Sequence, residues 1–291
     1  VGKTGLITRL AQEFPLEVIS LDSRQVYQGL KIGTAQPTPE ELAAAPHHLV
    51  DFLSPRDKYS AMRYREAFSE IYLQIRQRGG VPILVGGAGM YLTALRQGFM
   101  EIPGSTPEAL AEIRGKLELL SDHEIRKKLG EVDPQSAADI HHNDRYRSQR
   151  ALEVFYLSGQ PMSQLKSMQK PDPCLGLDFP TVVLERKVPE LDGRIAQRTD
   201  QMLKNGWIEE AEAALVQYPA DSPGLKTIGY AEIVQYLSGK LSRQTLDPAI
   251  ILVTRQYAKR QRTWFRHIPA ELRGHPDSDA VLVAMRRLLA I

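Results

Sequence analysis

The chain carries a single cysteine, Cys174, among 291 residues. One thiol excludes a disulfide framework and any cysteine-rich zinc site, and fits a reducing, cytoplasmic setting. Nor is there an apolar run near the ~18 residues that a membrane span needs, and mean hydropathy is −0.31. An integral membrane protein is excluded. An excess of one charge is also lacking: 37 basic side chains face 35 acidic ones, for a net charge of +2. With 42% of residues hydrophobic, that balance excludes a disordered tail. It does not exclude nucleic acid, because clustering of positive charge matters more than its total. No basic-then-apolar leader opens the chain, and internal repeats and low-complexity segments are absent. The length suits one large or two modest domains.

What is present reads as an α/β protein. Residues 17–22 and 82–87 form short apolar runs, the second ending in the glycine turn Gly86-Gly87-Ala88-Gly89. Between them, Met62, Phe68, Ile71, Tyr72 and Ile75 recur at helical spacing until Gly79-Gly80. Strand, helix, strand with apolar strands implies a parallel sheet. From about residue 104 the grammar changes. Thr106-Pro107, the capping box Ser121 to Glu124, Asp133-Pro134 and Asn143 each open a helix, and Gly159 closes the last. Residues 104–180 therefore read as an inserted all-helical subdomain, and residues 1–103 and 181–291 as the core. Strand grammar resumes at 181–185, and the remainder is mostly helical.

Four groups of residues could carry chemistry. Gly2-Lys3-Thr4 leads into an amphipathic helix with Leu6, Ile7, Leu10, Ala11 and Phe14 on one face. This is how a Walker A phosphate loop ends: helix N–H groups and a lysine face phosphate, and a hydroxyl is offered to Mg²⁺. Only the last three letters of that motif are present, so the expected first strand and early glycine would lie upstream. Asp22-Ser23-Arg24-Gln25 follows a strand, at the sheet edge where open α/β proteins bind ligands. Asp22 there is a Mg²⁺ partner or a general base, unless it merely caps a turn. Arg194 and Arg198, at i and i+4, could clamp a diphosphate or form a solvated pair matched to Asp192 or Asp200.

The fourth group is basic. Residues 248–270 contain no acidic side chain. Arg255, Lys259, Arg262 and Arg266 form a stripe spaced 4, 3 and 4, with Arg260 beside it and Tyr257, Trp264 and Phe265 interleaved. Basic charge with aromatics suits nucleic acid. A second cluster runs Arg145-Tyr146-Arg147-Ser148-Gln149-Arg150. Two separated clusters favour a long polyanion. The pairs His47-His48 and His141-His142 lack companions at metal-ligand spacing and read as structural.

Taken in order, the chain resembles the tRNA dimethylallyltransferases, also called tRNA isopentenyltransferases. The matching pieces are Gly2-Lys3-Thr4, Asp22-Ser23-Arg24-Gln25-Val26-Tyr27, Gly33-Thr34-Ala35, Pro46-His47-His48-Leu49-Val50-Asp51, and Gly86-Gly87-Ala88-Gly89-Met90-Tyr91. They continue with Arg150-Ala151-Leu152-Glu153-Val154, Ile228-Gly229-Tyr230 and the run from Arg255 to Arg266. The resemblance implies a P-loop NTPase-like parallel sheet flanked by helices, Mg²⁺, a dimethylallyl diphosphate donor and tRNA as acceptor. The acceptor atom would be N6 of the adenosine just 3′ of the anticodon. Asp22 would be the general base. Lys3 and Thr4 would assist catalysis, and Thr4 would hold the metal. Gly2, Lys3, Thr4, Arg194 and Arg198 would bind diphosphate. Asp22, Ser23, Arg24, Gln25, Ala88, Gly229, Tyr230 and both basic clusters would contact tRNA.

Two residues depart from the family pattern. Ala88 replaces its usual threonine, and Asp192 stands where an aromatic is common. With no Cys/His finger, the resemblance is to the bacterial form, acting as a monomer. A small-molecule P-loop kinase or an adenylate isopentenyltransferase would share the phosphate loop and Asp22 but has no use for the basic stripe. A non-catalytic RNA-binding module would leave Lys3, Thr4 and Asp22 unused.

Overall fold

The structure, a computed structural model, describes residues 2–100 and 102–290. Gly2-Lys3-Thr4 lies within them, and Val1, just before it, does not. Five short strands form two parallel sheets: β1 (Leu16–Leu21), β2 (His47–His48), β3 (Val81–Gly86), β4 (Val182–Leu184) and β5 (Leu272–Gly274). Among the described residues one sheet has the order β2-β1-β3, and the other pairs β4 with β5. Every residue of β1 is buried, as expected of a central strand covered on both faces.

The register of β1 on β3 positions the site. Leu16 pairs with Val81 and Leu21 with Gly86, so both strands finish together. The backbone N–H groups of Gly87 and Ala88 both donate to the Leu21 carbonyl at 2.9 Å. A side chain at Gly86 would put its Cβ 1.9 Å from that same oxygen. Glycine is therefore required where β3 turns away beside Asp22.

The helix Ala61–Gln77 is capped by Ser60, whose hydroxyl accepts from the Arg63 N–H at 3.2 Å. It ends before Gly79, which has φ of 80°. Glu17 of β1 accepts from Arg78 Nε at 2.6 Å, and His48 Nε2 lies 2.7 Å from its other oxygen. His47 Nδ1 lies 2.8 Å from the Ala45 carbonyl oxygen. These hydrogen bonds account for the first histidine pair without a metal. Its segment is β2, a strand too short to show in the sequence pattern, and β5 likewise interrupts a stretch expected to be mostly helical.

The chain divides into two compact units, Val1–Arg96 with Pro173–Ile291, and Gln97–Asp172. The second is bounded differently from the expected 104–180, since the linking segments return to the first unit at Pro173. Its helices are Pro107–Glu118, Asp122–Val132, Pro134–Asp139, Arg145–Ser158 and Met162–Met168, and its described residues include no strand. They pack around Leu117, Ile125, Leu129, Leu152 and Val154. Asp133 caps the third helix and also accepts from the Ser163 N–H (3.0 Å) and hydroxyl (2.6 Å), stapling two helices by one buried carboxylate. Asn143 is not a cap. Asp144 takes that place, accepting from the Arg147 N–H at 3.0 Å.

Candidate active site

The site forms where β1, β3 and three helices meet in the first unit. Gly2 caps the helix Lys3–Leu10 with φ of 98° and offers no side chain to its first N–H groups, for which the described residues supply no side-chain acceptor. A Cβ on Gly2 would fall 3.0 Å from both Arg186 Nη2 and Pro276. Such a helix end carries positive potential and open donors for an anion. Lys3 adds an ammonium whose pKa burial pushes below the usual lysine range; the Asp22 charge raises it and Arg198 lowers it. Arg198 is likewise depressed by lost solvation, against the charges of Asp22 and Glu41. Lys3, Asp22 and Arg198 thus share one electrostatic environment.

Asp22 does two things at once. Its Oδ1 accepts from the N–H groups of Arg24 (2.9 Å) and Gln25 (3.4 Å), making the turn. Its Oδ2 has no hydrogen-bond partner among the described residues. The turn reading and the catalytic reading are therefore compatible. Ser23 is uncommitted in the same sense. Gln25 is not: its side chain takes Ser20 Oγ at 2.8 Å and donates to the Ala35 carbonyl at 2.6 Å, so it holds the loop and is not free to read a base.

The helix Arg243–Arg266 lies across the glycine turn. Gln261 donates to the Gly87 carbonyl at 3.0 Å, and a Cβ on Gly89 would sit 2.2 Å from Trp264 Nε1. Missing side chains at 87 and 89 let this helix approach the strand ends. Ala88, between them, has no polar group and packs against the core. The helix also places Tyr257 under Arg24, whose guanidinium carbon is 4.2 Å from the ring centroid. On its other face Arg255, Lys259, Arg262 and Arg266 are exposed, while Arg260, also exposed, brings its guanidinium carbon within 5.8 Å of the Tyr257 ring centroid. Of these, Arg255 is paired with Asp192 at 3.6 Å. Lys259, Arg260, Arg262 and Arg266 have no ion-pair partner among the described residues.

Other expected site residues are placed elsewhere. Arg194 does not join Arg198; it pairs with Glu190 at 3.4 Å, one turn back, and Glu190 also takes the buried Arg186. Tyr230 is 0% exposed, which removes it from any RNA contact. Its hydroxyl donates to Glu210 and accepts from the Gly33 N–H at 3.1 Å. Gly229 has φ of 88°, and a Cβ there would meet Trp207 at 2.0 Å. This motif anchors the loop after Asp22 instead. Glu210, which the sequence reading missed, completes the anchor by accepting from the N–H groups of Lys31 (2.8 Å) and Ile32 (2.9 Å).

In the helical unit the second basic cluster is largely turned inward. Arg145 bonds Asp122 and the Leu120 carbonyl, Ser148 is buried, Gln149 donates to the Leu117 carbonyl, and Arg150 pairs with Glu153 at 2.8 Å. Tyr146, 79% exposed, and Arg147 remain at the surface.

For Mg²⁺, the chemistry on offer is the exposed Thr4 hydroxyl, with no hydrogen-bond partner among the described residues, and the open oxygen of Asp22. No group of three or more His, Cys, Asp or Glu residues able to hold a metal occurs among the described residues. Sparse oxygen donors beside an anion site fit Mg²⁺, which keeps waters and takes phosphate oxygens instead of a full protein cage.

These features define an α/β protein with its site at the carboxyl edge of a parallel sheet. A family model described as IPP transferase matches residues 25–268. A tRNA dimethylallyltransferase of a Cyanothece species is 40% identical over 282 residues, covering 97% of this chain and 91% of that protein. One from Neisseria meningitidis is also 40% identical, with 96% and 90% covered. The solved tRNA delta(2)-isopentenylpyrophosphate transferase of Staphylococcus epidermidis aligns over 99% of this chain and 95% of its own, with 31% identity and a TM-score of 0.69. A eukaryotic dimethylallyltransferase acting on tRNA aligns over 100% and 75%, with 29% identity and a TM-score of 0.81. The chain belongs to the tRNA dimethylallyltransferase (IPP transferase) family. Among the described residues no helix is long and apolar enough to cross a membrane.

Proposed function

We propose that the chain is a tRNA dimethylallyltransferase that moves the dimethylallyl group of dimethylallyl diphosphate to N6 of the adenosine 3′ of the anticodon. The observation that carries the mechanism is the shared environment of Lys3, Asp22 and Arg198 at an open helix N-terminus. An exocyclic adenine amine is a poor nucleophile, because its lone pair is delocalised into the purine. Asp22 accepts the N6 proton as nitrogen bonds to the allylic carbon, and the carbon–oxygen bond to diphosphate breaks. The charge left on diphosphate falls to the Gly2–Thr4 backbone, Lys3 and Arg198. Mg²⁺, held by Thr4, would add Lewis-acid stabilisation of the same oxygens. Arg194 stays on Glu190 and steadies the helix that carries Arg198. The target base must leave its stack to reach Asp22, where Ser23 and Arg24 meet it.

The same reading assigns a P-loop NTPase-like core and a tRNA-holding helical insert. β3 pairs only with β1 and β4 only with β5 among the described residues, and a cavity of about 1040 Å³ lies along them. One chain supplies every group named, so the reading needs no second copy.

Incubation with dimethylallyl diphosphate, Mg²⁺ and either tRNA or AMP tests this function. Prenylated adenosine is expected in tRNA. Product from AMP alone would make this a free-nucleotide enzyme, and product from neither would overturn the proposal.

The outward stripe is assigned to tRNA phosphates. Each basic group that neutralises a phosphate contributes roughly −0.7 to −0.9 to the slope of log K against log salt. Replacing Arg262 and Arg266 by Gln is expected to flatten that slope by about one to two units. Cognate and non-cognate tRNA should weaken alike, with donor affinity unchanged. Parallel salt lines for wild type and double mutant would remove the stripe from the interface.

A further inference from the structure

A purine delivered to Asp22 needs something to stack on, because it has left its neighbours in the RNA. Base–aromatic and base–guanidinium stacking are the usual replacements. Several aromatic rings lie near Asp22, and most are already used. Tyr64 and Tyr91 stack on each other at 4.2 Å and are 0% and 5% exposed. Tyr59 packs edge-on against Tyr91. Tyr257 differs: it is only partly buried, and its ring meets the Arg24 guanidinium at 4.2 Å, with that of Arg260 farther off at 5.8 Å.

The two partners are held unequally. Tyr257 stands on a helix locked to the strand ends through Gln261 and Gly87. Arg24 is tied to Asp22 by its backbone N–H, whereas its guanidinium has no hydrogen bond or ion pair among the described residues and rests on the ring. A long side chain can retreat by one ring thickness while its backbone stays in register with the carboxylate.

Resting on the function proposed above, we propose that Arg24 and Tyr257 form a clamp that takes the flipped adenine between guanidinium and ring, presenting its N6 to Asp22. Without RNA the clamp closes on itself. With RNA, Tyr257 supplies the fixed wall and Arg24 the movable one. Burial pushes the Tyr257 hydroxyl pKa up, with the nearby Asp22 charge adding to it. The ring therefore stays neutral, as a stacking surface should.

The test uses an anticodon stem-loop carrying 2-aminopurine at the target position, which binds but lacks the N6 amine. At saturating protein the bound probe is expected to be brighter with Tyr257→Leu than with wild type, because the quenching ring is gone. Tyr257→Phe, which keeps the ring, should rescue the quench. In transfer assays Tyr257→Leu should raise the KM for tRNA roughly 5- to 100-fold, the worth of one stacked base, and leave the KM for dimethylallyl diphosphate in place. Arg24→Met, which opens the other side of the clamp and so lets the base leave the quenching ring, serves if the leucine variant does not fold, and should also brighten the probe. Equal brightness in wild type, Tyr257→Leu and Arg24→Met would overturn the clamp. Failure of wild-type transfer would instead overturn the functional reading, while the fluorescence comparison, which needs binding alone, still decides the clamp.

Discussion

Asp22→Ala is expected to lower the single-turnover rate of prenyl transfer by ~10²–10⁴, the usual contribution of a positioned general base. The substitution removes the group that takes the N6 proton, and that proton must leave for nitrogen to bond to carbon. It also removes the Oδ1 bonds to the N–H groups of Arg24 and Gln25, so some loosening of the turn accompanies it. Asp22→Asn separates the two effects. An amide oxygen can still accept from those N–H groups, yet it is a very weak base. Both variants should lose the chemical step, and the asparagine form should keep tRNA and diphosphate affinity near wild type. Wild-type single-turnover rates in Asp22→Asn would remove Asp22 from catalysis.

Lys3→Met is expected to reduce donor turnover by ~10²–10³, the scale on which loss of one preorganised charge stabiliser is felt. The methionine keeps the apolar stem and deletes the ammonium, so packing against the cavity wall is preserved. tRNA binding should survive, because the basic stripe is on a separate helix face. The pH dependence adds a second readout. Lys3 must be protonated to hold diphosphate, and its pKa lies below the ordinary lysine value. Affinity for inorganic diphosphate should therefore fall as pH rises through that lowered pKa, earlier than for an exposed lysine. Lys3→Met should lack this limb of the titration. Donor binding and turnover that survive together would end the phosphate-site assignment.

The parts legible in the sequence are those governed by local physics. Thr106, Ser121 and Asp133 cap the helices that they were expected to open, because a side-chain oxygen beside free N–H groups acts within one turn. Asp22 stands at a strand end for a similar reason: the β-branched and apolar run Val18-Ile19-Ser20-Leu21 stops there, and an aspartate readily caps the turn that follows. The misses involve distant partners. β2 and β5 are two and three residues long, too short for any periodicity, and each exists through a neighbour far along the chain.

Spacing put Arg194 and Arg198 on one face, but the first has a local partner one turn back and the second a distant one. Glu190 captures the first, and Asp22, 176 positions from the second in sequence, attracts the other. The cluster 145–150 looked like a polyanion site because its partners, Asp122 and the Leu117 and Leu120 carbonyls, belong to other helices. Glu210 carried no signal at all, since a lone glutamate on a helix is ordinary until three backbone N–H groups are found converging on it.

The central claim is that Asp22 and its neighbours serve the N6 amine of one tRNA adenosine, and replacing that base tests it most directly. Two otherwise identical tRNAs, one with adenosine and one with guanosine 3′ of the anticodon, are incubated with labelled dimethylallyl diphosphate and wild-type protein. Nuclease digestion and mass spectrometry then locate the label. The expected result is one allyl group, on that adenosine, and none on the guanosine tRNA. Equal labelling of both tRNAs, or label on any other nucleoside, would contradict the account.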